Sequence, residues 1–314
     1  MPAGAPEVEV FENARPRLEA IAYRLLGSAS DAEDAVQDTF MRWHAADRAF
    51  VETPEAWLTK VLTNICLNQL ASARARREAY VGQWLPEPIF AGDRMLGPAE
   101  TVEQRESVSI AMLTLMERLS ANERVVYVLR EAFGYAHNEI AEILDITESN
   151  CYQIYRRAKQ RVTGDRTRVE IDEAAARKIV DEFLAAALSG NTDSLVRMLT
   201  DDAISAGDGG GVVFSLPEPI TGALRVARFL RRLFEPTVDK WAAIGGRAAL
   251  FDAVANGVPA VVIVVGDRVV GVISLEVTTD GIAAVHTQAN PSKLVRATRR
   301  WAMSEHGNPL VDVW

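Results

Sequence analysis

The chain has 314 residues, 48% of them hydrophobic and 25% charged, with a net charge of −9 and an isoelectric point near 5.1. That length holds two or three domains, and the apolar fraction excludes a chain disordered throughout. The acidic balance excludes a protein that grips DNA unaided, because neutralising phosphates takes Lys and Arg, and two cysteines with four histidines supply neither a disulfide framework nor metal-ligand spacing.

The opening MPAGAPEVEVFENA lacks a basic region followed by an apolar core, so no signal peptide is expected. No apolar run approaches the roughly 18 residues of a membrane span. A cytoplasmic protein with no membrane partner is expected. The first domain reads as helical from about Glu9 to Tyr80. A helix over Arg15 to Leu26 stops at Gly27, and Ser30 with Glu33 forms a capping-box pair for a helix reaching about His44. Asp31, Asp34 and Asp38 fall on one side of it, opposite Val36, Phe40 and Trp43. Like charges so spaced repel, which predicts a basic partner surface to offset them.

Thr53, Pro54 and Glu55 open a third helix, with Pro at a position where its missing N–H costs nothing. Trp57, Leu58, Val61, Leu62 and Ile65 make its apolar stripe, while Lys60, Asn64 and Asn68 line a polar stripe leading to Arg74, Arg76 and Arg77. Periodicity then breaks in GQWLPEPIFAGDRMLGP. Pro86 and Pro88 hold Leu85 and Glu87 out of helical space, so Trp84 to Pro88 is expected to be extended. A strip so apolar should dock on another surface of the same molecule.

After a helix from about Ala99 to Leu119, Ser120 and Glu123 form a second capping-box pair. The stretch to Val162 reads as a helix-turn-helix: AHNEIAEIL, the turn Asp145-Ile146-Thr147, then ESNCYQIYRRAKQRV. Cys151, Tyr155, Ala158 and Val162 recur at helical steps and face inward. Ser149, Asn150, Tyr152, Gln153 and Arg156 remain outside, where they can reach base edges, and Arg157, Lys159 and Arg161 suit phosphates.

Beyond Gly164 the character changes. Helices are expected over Glu170 to Leu188 and Asp193 to Leu199, strands over Ala203 to Gly207 and Val212 to Ser215, and a helix over Gly222 to Phe234. Three or four strands lie between Lys240 and Gln288, and Pro291 to Trp314 reads as a helix with a frayed tail. This is an α+β domain with helices packed on a curved antiparallel sheet. Asp208 precedes Gly209, Gly210 and Gly211, which let the backbone pass close to another segment. LPEP occurs at Leu85 to Pro88 and again at Leu216 to Pro219. No acid-base pair is recognisably spaced, so no enzyme, catalytic residue, metal or cofactor is expected.

WLTKVLTNICLNQL with ARARR, LREAFGYAHNEIAEIL with the helix after it, and the trio WLPEP, DGGG (Asp208 to Gly211) and NPSKL (Asn290 to Leu294) carry a resemblance. The chain resembles the extracytoplasmic-function (ECF) sigma factors, of the SigJ-like group with a fused SnoaL-like C-terminal domain. The resemblance implies a multidomain chain: an all-α sigma region 2 over 1–80, a linker over 81–105, an all-α region 4 over 106–165, an α+β SnoaL-like domain over 166–290 and a tail over 291–314.

It also implies roles. Asp31, Asp34 and Asp38 would face the clamp of core RNA polymerase, its beta and beta-prime subunits. Asn64 would take an unstacked base of the −10 element, with Lys60, Asn68, Arg74, Arg76 and Arg77 on the strand backbone. Ser149, Asn150, Tyr152, Gln153, Arg156 and Arg157 would read the −35 element of promoter DNA. Trp84, Leu85, Pro86, Glu87 and Pro88 would dock near Asp208 to Gly211, secured by Asn290, Pro291, Lys293 and Leu294, so that the domain controls the factor in cis and no anti-sigma partner is needed. SnoaL-like domains enclose an apolar pocket, which the resemblance implies here with Asp208, Trp241 and His286 as candidates to line it, leaving room for a small ligand. The chain departs from the family pattern at Ala136, where an N-capping Ser is usual, at Tyr152 and Ile154, where basic residues are frequent, and at Val212 and Ser292. The alternative is a one-component helix-turn-helix regulator with a small-ligand domain, which leaves the helices over Asp31 to Trp43 and Trp57 to Arg77 unexplained.

Overall fold

A computed structural model describes residues 6–78, 80–98, 101–162, 172–312 and 314. Two units share the chain: Met1–Ala79 with Gly92–Gly164, and Tyr80–Ala91 with Asp165–Trp314. The linker expected over 81–105 is therefore divided. Its first part belongs to the second unit, because it is hydrogen-bonded to strands of that unit, as detailed below.

In the first unit α1 (Pro6–Leu26) runs straight through Pro16. The turns before that proline are held because Phe11 is buried and the Trp43 indole donates to the Glu7 carbonyl (2.8 Å), so the helix starts well before Arg15. Gly27 turns left-handed, and Ser28, in extended conformation, caps α2 (Ala29–Ala45) by accepting from the Asp31 amide. The expected cap at Ser30 is thus displaced by two residues, since Ser30 already lies inside the helix. After α3 (Pro54–Glu78) come α4 (Val102–Glu106) and α5 (Ile110–Met116), where one helix over Ala99 to Leu119 was expected. Two serines break it. The Ser107 hydroxyl donates to the Gln104 carbonyl and accepts from Arg24, and Ser109 caps α5. The unit closes with α6 (Ala121–Glu131), opened by the Ser120–Glu123 capping box, α7 (His137–Leu144) and α8 (Glu148–Val162).

Two buried arginines knit these helices. Arg24 donates to the Ser107 hydroxyl and to the carbonyls of Met95 and Leu96. Arg124 donates to the Leu25 and Met116 carbonyls and to the Glu117 carboxylate. Burial pulls their guanidinium groups down, to about 10 and about 9 respectively. The bond from Arg124 in α6 to Leu25 in α1 ties the second helical module onto the first.

In the second unit α9 (Glu173–Leu188) and α10 (Thr192–Met198) precede β1 (Leu199–Asp208), β2 (Ile220–Thr221), α11 (Ala223–Phe234) and α12 (Val238–Ile244). Then follow β3 (Ala249–Ala255), β4 (Val258–Val265), β5 (Arg268–Thr278), β6 (Gly281–Gln288) and α13 (Val295–Met303). The six-stranded order is β2-β1-β6-β5-β4-β3. The sheet is mixed, not purely antiparallel, because β1 lies parallel to β6. Bulges in β4/β5 and β5/β6 bend it. Phe183, Val226, Leu230 and Phe234 pack with Leu250, Val261, Ile273 and Val285 in one core. On the other face Leu294, Ala297 and Trp301 meet Val262, Val264 and Val272. Burial on both faces explains why VPAVVIVV is apolar without alternation.

Three expectations change here. Val212 to Ser215 is not a strand, because the Gly209 carbonyl accepts from the amides of both Val212 and Val213 and curls the chain into a turn. Lys240 lies in α12, before the strands begin. The tail is not frayed: Trp314 and Ala248 exchange backbone hydrogen bonds, the Leu310 amide bonds the Leu250 carbonyl, and the Trp314 indole donates to the Phe234 carbonyl. It covers the start of edge strand β3, at Leu250.

Candidate functional site

The second helix of the helix-turn-helix, α8, is positioned by its buried side. Cys151, Ile154, Ala158 and Val162 are buried, so Ile154 is a core residue and a basic side chain there would not face DNA. Tyr155, expected inward, is half-buried and donates to the Glu131 carboxylate. Ser149, Asn150, Tyr152, Gln153, Arg156 and Arg157 are all exposed on one face. Left-handed Asp145 ends α7, and the Thr147 hydroxyl accepts from the Asn150 amide to start α8. Ala136 supplies no cap, but its amide donates to Glu139, so half of the capping box survives. Further along, Arg161 and Lys159 are paired with Glu123 (2.7 Å) and Glu131 (3.5 Å), acids of α6.

On α3, Asn64 and Asn68 are exposed. Lys60 is engaged: it donates to the Asp145 carboxylate (2.6 Å) and the Glu142 carbonyl (2.9 Å), at the turn of the helix-turn-helix. Arg74, Arg76 and Arg77 continue the helix, but their side chains lie outside the described residues. On α2, Asp34 and Asp38 are exposed and Asp31 half-exposed, opposite buried Ala32, Val36 and Trp43.

The third constellation joins the linker to the second unit. Asp208, fully buried, accepts from the Tyr80 hydroxyl (2.6 Å), the amides of Leu85 and Gly210 (3.0 Å each), Gln288 (3.3 Å) and Lys293 (2.6 Å). Lys293 also donates to the Leu85 carbonyl and stands over the rings of Trp84 (4.2 Å) and Tyr80 (5.0 Å). Gln288 donates to the Leu85 and Pro86 carbonyls, and Asn290 to the Tyr80 hydroxyl. Leu85 to Ile89 is buried throughout, Glu87 and both prolines included. The strip ends against the edge of β3: Phe90 forms an isolated bridge with Ala255, and Ile89 and Asn256 exchange hydrogen bonds. Burial, then the bond to Asp208, pushes the Tyr80 phenol well above its ordinary range, so it stays a donor.

The glycines serve close approach. Gly210 and Gly211 have positive φ, and a Cβ on Gly210 would lie 2.4 Å from the Asn290 side chain. Asn290 caps the turn over Pro291–Lys293, where Ser292 bonds it through both amide and hydroxyl, and Leu294 is buried beneath. Val212 projects into solvent. The second LPEP is exposed over Pro217 to Pro219, so the two copies are not equivalent. Asp208, Trp241 and His286 do not converge on one pocket. Asp208 is consumed as described, Trp241 donates to the Trp314 carbonyl and stacks with Arg247, and His286 stands on β6 opposite Ser274. Tyr80, Gln288 and Asn256 escaped sequence reasoning; each is a single polar residue far in sequence from its partners.

Comparisons with known proteins bear on these three surfaces. Residues 10–76 match Sigma-70 region 2, and residues 109–162 match Sigma-70, region 4. Over 230 residues the chain is 35% identical to the ECF RNA polymerase sigma factor SigJ of Mycobacterium tuberculosis, covering 73% of each. The chain belongs to the ECF sigma factors. It is 30% identical over 288 residues to the probable ECF RNA polymerase sigma factor SigI of the same species, covering 89% of this chain and 92% of that one. The crystal structure of M. tuberculosis SigJ matches with a TM-score of 0.69 at 30% identity, covering 91% of this ECF factor and 97% of that chain. The one-component regulator is thereby set aside: α2 and α3, which it left unexplained, fall within region 2.

Proposed function

We propose that this ECF factor binds core RNA polymerase, directs it to promoters to begin transcription, and is controlled in cis by its own C-terminal unit. Asp31, Asp34 and Asp38 present an acidic face to the polymerase clamp, its beta and beta-prime subunits. Asn64 and Asn68, with Lys60 and the arginines at 74, 76 and 77, take the opened −10 strand. Ser149, Asn150, Tyr152, Gln153, Arg156 and Arg157 read the −35 duplex. Polymerase brings the factor to DNA, which reconciles promoter reading with an acidic chain and implies a cytoplasmic site of action.

The observation that carries cis control is the seating of Trp84 to Phe90 in the C-terminal sheet, fastened by Asp208 and Lys293. That strip connects the two reading modules. The −10 and −35 elements stand about 25 base pairs apart, ~85 Å at 3.4 Å per pair, whereas Lys60 and Asp145 touch at 2.6 Å. Engaging both elements requires the modules to part, and a linker held against the sheet edge limits how far they can. An internal restraint of this kind replaces a separate anti-sigma partner.

In vitro transcription with purified core polymerase on a cognate promoter tests the reading. The full chain should yield promoter-dependent RNA, and D34K/D38K should abolish it together with binding of core polymerase while the thermal midpoint of the chain is unchanged. Disulfide crosslinking of the linker to β3, through cysteines placed at Ala91 and Val254, should change initiation by at least tenfold and reverse on reduction. Unchanged initiation in the fully crosslinked protein would refute control through the linker.

A further inference from the structure

A cavity of about 360 Å³ opens in the C-terminal unit. Its walls come from the turn after the glycines (Val213), the end of α12 (Ile244), the start of β5 (Val270) and the start of α13 (Leu294, Val295). The volume lies within the roughly 300–1,000 Å³ of small-ligand sites. Two guanidinium groups, Arg268 and Arg299, join an otherwise aliphatic lining that contains no acidic and no aromatic side chain. Arg268 spends one N–H on the Ile244 carbonyl (2.9 Å), and neither arginine has a carboxylate partner among the described residues.

This arrangement selects for chemistry. Two cations beside an apolar cavity with no acidic side chain in its lining favour one anionic head, and the planar fork of arginine matches a carboxylate. Aliphatic walls with Thr298 as the single neutral polar side chain offer little to a sugar or a base, and its hydroxyl is already turned to the Val269 backbone. We propose that this cavity binds an aliphatic monocarboxylate, head on Arg268 and Arg299 and chain between Val213 and Leu294. The bound chain would span the glycine turn and the Asn290 turn, the two segments that frame Asp208 and Lys293. Any effect on the linker rests on the cis-control reading above; the binding itself does not.

Calorimetric titration of the full chain with octanoate, 1-octanol and octyltrimethylammonium, all below aggregation, decides the matter. Octanoate should bind saturably at one site, at least tenfold tighter than octanol, with hexanoate weaker by about fourfold per methylene removed. In R268Q/R299Q the octanoate advantage should vanish while octanol is unchanged. Val295→Trp, on the cavity wall at a position 48% exposed and so tolerant of a larger side chain, should occlude the cavity and abolish both. No saturable octanoate binding, binding that survives both variants, or equal binding of the cation would overturn the proposal. The titration needs neither polymerase nor promoter, so failure of linker control leaves its outcome untouched.

Discussion

Asp208 concentrates much of the chemistry of the C-terminal unit in one side chain. A fully buried carboxylate is tolerable only if its lone pairs are satisfied and its charge is balanced. Here four neutral donors and one ammonium do both. Removing the ammonium alone leaves a buried charge without its counterion, so Lys293→Met should lower the stability of the C-terminal unit by about 3 kcal/mol. The loss should appear as a lower thermal midpoint and faster exchange at the Leu85 amide. A second prediction concerns Tyr80. Its phenol, raised in the folded state by burial and by Asp208, contributes stability that is fully present below the ordinary value of 10.0 and is lost as pH rises through the folded value. Tyr155 is likewise raised, by burial and Glu131. Ultraviolet titration should therefore show Tyr80 and Tyr155 among the late-ionising tyrosines, with Y80F and Y155F each removing one late step.

Among the elements, the turn after β1 and the strip ahead of α4 matter most. Gly210 combines a positive φ with a side of the backbone already filled by Asn290. Gly210→Ala should thus carry both left-handed strain and a clash, costing about 2 kcal/mol or more and displacing Asn290 from Tyr80. Val212→Ala, one turn residue away but in solvent, should be neutral by the same thermal assay. The strip Trp84 to Phe90 owes its form to composition. Pro86 and Pro88 deny it a helix, and its apolar residues deny it water, so an exposed sheet edge is the surface left to it. Edge strand β3 is consequently covered at Val254 to Asn256 by the linker and at Ala248 to Leu250 by the tail.

For the molecule as a whole, the decisive relation is between the two reading modules. Arg124 and Lys60 both cross from one helical module to the other within the first unit. The Lys60–Asp145 pair is exposed, and such pairs contribute under about 1 kcal/mol. Arg124 is a buried tie and contributes more. Fluorophores on residues 68 and 149 should report high energy transfer in the free chain. Transfer should be lost when core polymerase and a promoter with both elements are added, as the modules separate toward ~85 Å. Transfer that persists in a transcribing complex would show that the modules read DNA without parting.

The primary structure was sufficient for whatever depends on local periodicity and on short motifs. The helix-turn-helix, with its turn at Asp145 and its exposed polar face, follows from a 3.6-residue repeat that no distant contact needs to correct. The three acids of α2, the stripe of α3 and the extended linker followed in the same way, and the motifs carried the family. Tertiary structure alone decided which residues meet across 85 positions or more: Tyr80 with Asp208, Leu85 with Gln288, Ile89 with Asn256, Arg124 with Leu25, Lys60 with Asp145. It also decided the parallel pairing of β1 with β6 and the docking of Trp314. Each of these is a single contact between residues with no periodic signature, and burial and backbone hydrogen bonding fix such contacts only once the sheet and the helices have assembled.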